Sequence, residues 1–422
     1  MKRPGATARV LIGLALGAAL GLALAYRFPD LAPHAAAIAR PIGTLWLAGL
    51  QMTVAPLVFS LVVLGVATAS DAAASGRVAR RALVTFVLML TGFALYAAAL
   101  APLLLSLFPH SAALAETLRG AAAPVGDVPV PSLADWLAGA IPTNALMAAA
   151  QNAMLPLVVF SLFFGFALTR LAPERREPLL ALCRGLSEAM IVIVHWMLLA
   201  APLGVFALVL VVCTGAGLGV IGALVGYIGL LVALYLGATL ICYPLVWLLA
   251  RESPLRFARN ILPAQIVAAS TQSSLATLPA MVESAGERLG YRRNVVALVL
   301  PMAVTLFRIT SPVQYIGAAC FIAWATGVEL SAMQLVAAAA LAVVISLGSI
   351  GLPGQVSFMA TVMPVSQSLG LPVEPLGLLL AVDTIPDVFA TTGNVTGDLT
   401  ATALVNQRSA DLPDAPIEDH AA

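Results

Sequence analysis

Four polar residues recur at helical spacing in an otherwise apolar stretch: Asp383, Asp387, Asn394 and Asp398. At 100° per residue they project at about 0°, 40°, 20° and 60° from the first, one narrow stripe. The flanks, LGLLLAV and LTATALV, are apolar, so the stripe is not the wet face of a surface helix. Carboxylates at membrane depth belong to substrate, ion or proton pathways. The structural alternative is a buried polar network that ties helices together. One cation is available to answer these acids. Arg308, in LFRITSP, lies within the apolar segment VVALVLPMAVTLFRITSPVQYIGAACFIAW and is the only Lys or Arg at that depth. An ion buried alone is costly and a paired one much less so. Arg308 is therefore expected to face the stripe across a polar cavity.

Two pinched segments offer the other half of a site. In STQSS (270–274) hydroxyls and backbone N–H groups meet where a half-helix would begin, and helix N-termini attract carboxylates. In GLPGQ (351–355) two glycines flank a proline at a sharp reversal, and glycine lets backbone approach a ligand closely.

The elements that must hold these residues are membrane spans. Of 422 residues 61% are hydrophobic and only 10% charged, with mean hydropathy +1.00. Soluble domains carry about 25% charged residues. Net charge is +1, so no basic field suggests nucleic acid. Cys183, Cys213, Cys242 and Cys320 have no metal-binding spacing and read as small core residues. His34, His110, His195 and His420 form no cluster, and His195 reads as a satisfied buried histidine rather than a proton relay. No HExxH, GxSxG or Walker sequence occurs, so neither a membrane protease nor an ATP-driven pump is indicated, and the chain is read as no enzyme.

A span needs about 20 apolar residues. Simple spans fall at roughly 8–26, 42–69, 82–108, 185–213 and 219–250, and a compound, broken one at 132–170. The first is read as a retained span rather than a cleaved signal peptide. IVAASTQSSLATLPAMV and VVISLGSIGLPGQVSFMATV are each interrupted at the centre, so each reads as helix, tip and returning helix. Each is followed by a span with its own interruption, and that doubled pattern is expected of an inverted repeat in a secondary transporter. With eight spans, two re-entrant hairpins and a cytoplasmic N-terminus, only Arg27, Arg40 and Arg119 fall outside and Arg308 within the membrane. All other Lys and Arg are cytoplasmic, as the positive-inside rule requires. The stretch 407–422, with its Pro and acidic residues, reads as a disordered cytoplasmic tail.

These motifs resemble the dicarboxylate/amino acid:cation symporters, the glutamate transporter family, over nearly the whole chain. IPTNALMAAAQNAMLPLVVF, GLSEAM…APLGVFAL, STQSSLATLP, GLPGQ and NVTGDLTATALV carry the likeness. The resemblance implies an all-α membrane protein of eight transmembrane helices and two re-entrant hairpins, assembled as a homotrimer and working as an elevator in a bacterial-type inner membrane. Scaffold spans 1 and 2 would occupy 1–81, and spans 4 and 5 would occupy 109–218. The transport domain would comprise 82–108 and 219–406. Asp387 matches the aspartate that holds a substrate amino group, Asn394 and Asp398 match sodium ligands, and Asp383 matches another acid of that helix. The candidate substrate-binding set is Ser273, Ser274, Arg308, Ser311, Gly354, Asp387, Thr391 and Asn394. The candidate cation-binding set is Asp383, Asn394 and Asp398, with sodium at Asn394 and Asp398.

Two departures stand out. Where the family carries NMDGT in span 7, this chain reads FRITS (307–311), with Ile309 at the aspartate position. Where acidic-amino-acid carriers have an arginine, three residues after the substrate aspartate, it has Ala390. Arg308 would then either clamp a substrate carboxylate or substitute for a bound sodium ion. The expected activity is symport of a small dicarboxylate or amino acid, an anionic or zwitterionic substrate, driven by Na+ or H+ with no cofactor. The alternative is a channel or non-transporting sensor on the same scaffold.

Overall fold

The computed structural model describes residues 6–74, 76–107, 141–348 and 354–409, and among them every regular element is helical. The first helices are α1 (Ala6–Arg27), α2 (Ala32–Gln51), α3 (Val54–Ala74) and α4 (Arg77–Leu105). Then come α5 (Ala145–Ala150), α6 (Met154–Leu168), α7 (Pro173–Ala216) and α8 (Gly219–Leu245), which runs on into a π-helical turn, Val246–Ala250. The helices α9 (Pro254–Thr271) and α10 (Ser274–Glu283) precede a second π turn, Ser284–Arg288. Last are α11 (Arg293–Leu306), α12 (Thr310–Thr326), α13 (Ala332–Gly348), α14 (Gly354–Ser368), α15 (Pro375–Val382) and α16 (Asp387–Arg408).

Six helical segments among the described residues are long and apolar enough to cross a membrane, or seven if Pro375–Arg408 counts as one broken span. Met154–Leu168 and Ala332–Gly348 are apolar but shorter. The helices form two units by their contacts: Met1–Ala67, Ala94–Leu234 and Pro312–Asp387, and Thr68–Phe93, Tyr235–Ser311 and Val388–Ala422. In the first, α1 and α2 pack along α7, and the Trp46 indole donates to the Met197 carbonyl at 2.8 Å. In the second, α9 packs on α10 and α10 on α11.

Several expected boundaries shift. The span placed at 42–69 begins ten residues earlier and is two helices, with Met52 and Thr53 between them; the Thr53 hydroxyl turns back to the Leu50 carbonyl at 2.8 Å. The compound span breaks at Gln151–Ala153, where Asn152 takes a left-handed φ of 53°, while Asn144 of IPTN caps α5 by accepting from the Met147 N–H at 3.0 Å. Residues 132–140 of that span lie outside the described residues, as do 351–353 of GLPGQ, 410–422 of the tail, and the start of the scaffold segment 109–218.

The stripe drawn as one helix also needs correction. Helix α15 stops at Val382 and α16 starts at Asp387. Pro386 has no N–H to give back to the Val382 carbonyl, and its ring would crowd that oxygen. Asp383 therefore sits in the break, and only Asp387, Asn394 and Asp398 share a helix.

Candidate functional site

Every polar group of interest stands at or opposite a helix break, where backbone N–H and C=O groups lose their intrahelical partners. In lipid those groups must be met by protein or by a wet cavity.

In the first unit the Asp383 break is answered by α12. Asp383 is 3% exposed, and Gln314 Nε2 donates to both its oxygens, at 2.8 Å to Oδ1 and 3.1 Å to Oδ2. The fully buried Tyr227 adjoins the same carboxylate, and the charge of half-buried Asp387 bears on it. The sequence reading passed over Gln314 and Tyr227. A lone glutamine in an apolar span was the available signal, because an amide at that depth needs a partner.

In the second unit the first break lies at the tip of α9 and α10. Gln272 takes a left-handed φ of 50°, and Ser273 caps α10, its hydroxyl accepting from the Ala276 N–H at 3.2 Å. The Thr277 hydroxyl donates to the Ser273 carbonyl at 2.8 Å, and Ser274, the first helical residue, is buried. Both predicted serines thus stand where a helix begins. Gln265, about two turns before Gln272 on α9, donates to the Tyr243 hydroxyl at 3.1 Å and to Thr396 Oγ1 at 2.8 Å. It too escaped the sequence reading.

The second break, Phe307–Ile309, carries Arg308. Phe307 is fully buried and stacks on Phe86 with ring centroids 4.6 Å apart. The Thr310 N–H, an orphan donor at the start of α12, is met by Asn394 Oδ1 at 3.0 Å. The Thr310 hydroxyl approaches the same oxygen at 2.9 Å and the Ala390 carbonyl at 3.3 Å. The Ser311 N–H turns back to the Arg308 carbonyl at 3.1 Å. Two glycines of α16 make room for this junction. A Cβ on Gly393 would meet Thr310 Cγ2 at 2.8 Å, and one on Gly397 would meet Ile309 Cγ2 at 2.8 Å. Asp398 is wholly buried, neither of its oxygens accepts a hydrogen bond from a described residue, and the charge of half-buried Arg308 acts on it. Thr391 is buried on the same helix. Gly354 is the first residue of α14, and its surroundings lie outside the described residues.

At the π turns that follow α8 and α10, the Tyr291 hydroxyl donates to Glu252 Oε2 at 2.6 Å. Burial, with the Glu252 carboxylate beside it, pushes the phenol far above its ordinary value. No group of three or more His, Cys, Asp or Glu poised for a metal ion occurs among the described residues.

Known proteins resemble this chain in sequence over nearly its whole length. A family model described as the sodium:dicarboxylate symporter family matches residues 6–408. A proton/sodium-glutamate symport protein of Bacillus subtilis is 28% identical over 410 residues, covering 96% of this chain and 92% of the relative. A proton/glutamate-aspartate symporter of Escherichia coli is 29% identical, covering 94% and 91%. A C4-dicarboxylate transport protein of Cupriavidus necator is 30% identical, covering 92% and 88%. An end-to-end family match on an apolar, all-helical chain whose polar residues gather at helix breaks has one reading: the chain is a multi-pass membrane protein that belongs to the sodium:dicarboxylate symporter family.

Proposed function

We propose that this protein is a secondary active symporter that carries a small dicarboxylate or amino acid across a bacterial-type inner membrane, driven by an inward Na+ or H+ gradient. The observation that carries the reading is the burial of two carboxylates, Asp383 and Asp398, at or opposite helix breaks of an apolar protein. Intramembrane acids held at broken helices suit a binding path better than a structural tie. The names of the relatives, glutamate, glutamate-aspartate and C4-dicarboxylate carriers, support a small anionic substrate.

In this reading the chain makes eight spans and two re-entrant hairpins, with both termini cytoplasmic. Residues 1–81 and 109–218 form a scaffold within a homotrimer, and 82–108 with 219–406 form a transport domain that moves as an elevator. The start of α10, with Ser273 and Ser274, offers N–H groups to a substrate carboxylate. Ser311 and Thr391 supply hydroxyls, Asp387 meets an amino group where the substrate has one, and the segment at Gly354 closes over the bound molecule.

The test is saturable uptake. Purified protein in liposomes is expected to take up labelled C4-dicarboxylate or acidic amino acid with a finite KM and to be competed by unlabelled substrate. A passive, non-saturating conductance would instead make it a channel. Asp387→Asn is expected to weaken amino acids at least tenfold while leaving dicarboxylates within about twofold, because only the former present an ammonium group.

A further inference from the structure

Three span ends are tied together in the second unit. Arg77 is the first residue of α4, Arg293 the first of α11 and Arg408 the last of α16. The segments Arg77–Leu105 and Arg293–Thr326 are each apolar enough to cross a membrane, and α16 belongs to the broken span Pro375–Arg408, so these ends stand at a membrane surface. Hydrogen bonds join them. The Arg81 guanidinium donates to the Arg408 carbonyl, the Arg292 guanidinium to the Ser409 carbonyl, and the Arg292 backbone N–H to Asn406 Oδ1 at 3.0 Å.

Arg77, Arg80, Arg293 and Arg408 remain exposed around this junction, and none of them is ion-paired with a described residue. The positive-inside rule accounts for arginine at a span end. Two of these ends, however, are helix starts, where the dipole opposes a cation and favours an anion. Neither start has an acid in its first turn. An anion seated here would meet guanidinium groups and helix N-termini together.

Helix α4 also shows what the anion is attached to. At 100° per residue Arg77, Arg80, Val84 and Leu88 fall within about 80° of arc. Val84 is 49% exposed and Leu88 61%. On one helix face, cationic side chains at the surface thus stand over bare apolar side chains at membrane depth. A free phosphate would use only the charged part. A phospholipid uses both, its phosphate against the arginines and an acyl chain against Val84 and Leu88.

We infer that the joined ends of α4, α11 and α16 form a binding site for an anionic phospholipid, with Arg77, Arg80 and Arg293 on its headgroup and Val84 and Leu88 along an acyl chain. The site uses none of the residues proposed for substrate, and its test needs no transport. Absence of uptake in liposomes would undo the symporter reading and leave this one standing.

The full chain, purified in detergent, is to be melted with added phosphatidylglycerol, phosphatidylcholine or inorganic phosphate. A saturable rise in Tm is expected with phosphatidylglycerol, well above that with the other two. Combining Arg77→Gln, Arg80→Gln and Arg293→Gln should abolish the excess, and Val84→Ser with Leu88→Ser should weaken lipid binding severalfold. Exposed substitutions of this kind move basal stability little. Should the triple variant fail to fold, Arg80→Gln and Arg293→Gln singly should each raise the lipid concentration at half-saturation. Equal rises with both lipids, or an excess untouched by the arginine variants, would overturn the inference. So would inorganic phosphate alone matching phosphatidylglycerol, which would make this a site for free anions. Neutralising Asp411, Asp414, Glu418 and Asp419 together should leave the excess in place. A lower basal Tm on that change, with no response to lipid, would give the arginines to the acidic tail instead and overturn the inference.

Discussion

Asn394 acts across a gap: its side chain on α16 accepts from the N–H of Thr310, the first residue of α12. Asn394→Ala should leave the buried Thr310 N–H without a partner, at a cost of about 1–3 kcal/mol. Asn394→Asp keeps acceptor oxygens and should melt closer to the wild type; equal losses for both variants would show that the oxygen is not what matters. Gln314 stands in the same relation to Asp383, donating to both carboxylate oxygens. Gln314→Leu is expected to cost about 1.5–3 kcal/mol, the range for hydrogen bonds to a charged group, read as a fall in Tm of the purified protein. An unchanged Tm would mean that water replaces the amide. At this scale the sequence showed the acids and the lone arginine but not their partners. Stripe residues announce themselves by polarity in an apolar context. Thr310, Gln314 and Gln265 are ordinary helix residues until the folded chain sets them opposite a break.

The elements are defined by where they stop. The STQSS cluster made one break legible, since small polar residues favour caps over helix interiors, whereas Asp383 was drawn on one helix with Asp387 although Pro386 removes a donor between them. The interruption at Met52–Thr53 carries no proline or glycine and was not legible. Neither was the early start of α2, where Pro33 stands in the first turn and Pro41 inside the helix. Gly397 read in sequence as part of NVTGDLTATALV, with Gly393 just before it; in the fold the two are the contact surface for Ile309 and Thr310. Gly397→Ala should force Ile309 back and cost about 1–3 kcal/mol as an overpacked contact. Pairing it with Ile309→Val should recover part of the loss, and no recovery would place the strain elsewhere. At the π turns, Tyr291 and Glu252 tie the ends of α8 and α10 together within the second unit, with Arg256 4.0 Å from the second Glu252 oxygen. The folded protein holds the Tyr291 proton more tightly than the unfolded chain does. That contribution is complete below about pH 10, the ordinary phenol value, and stability falls as pH rises beyond it. Tyr291→Phe should flatten this alkaline limb of the Tm curve. A limb of unchanged slope would assign the loss to other groups.

For the molecule as a whole, composition alone established a polytopic membrane protein, and the doubled pattern of broken segments pointed to a carrier. Family membership agrees with both. What composition does not encode is the partition of the chain by contacts, in which α3, α4, α8, α12 and α16 each pass from one unit to the other. A long helix has no sequence mark at the residue where its neighbours change. Acids at helix breaks and an internal guanidinium suit the proposed carrier, which would open a polar path and close it around cargo. Such a carrier must do work against a concentration difference. The most direct measurement is therefore the steady-state accumulation of labelled C4-dicarboxylate or glutamate in liposomes under imposed inward proton and sodium gradients, collapsed singly and together. Accumulation above the external concentration is expected while a driving gradient lasts, with loss of the excess when both are collapsed. Equal, merely equilibrating entry with and without the gradients would contradict coupled transport.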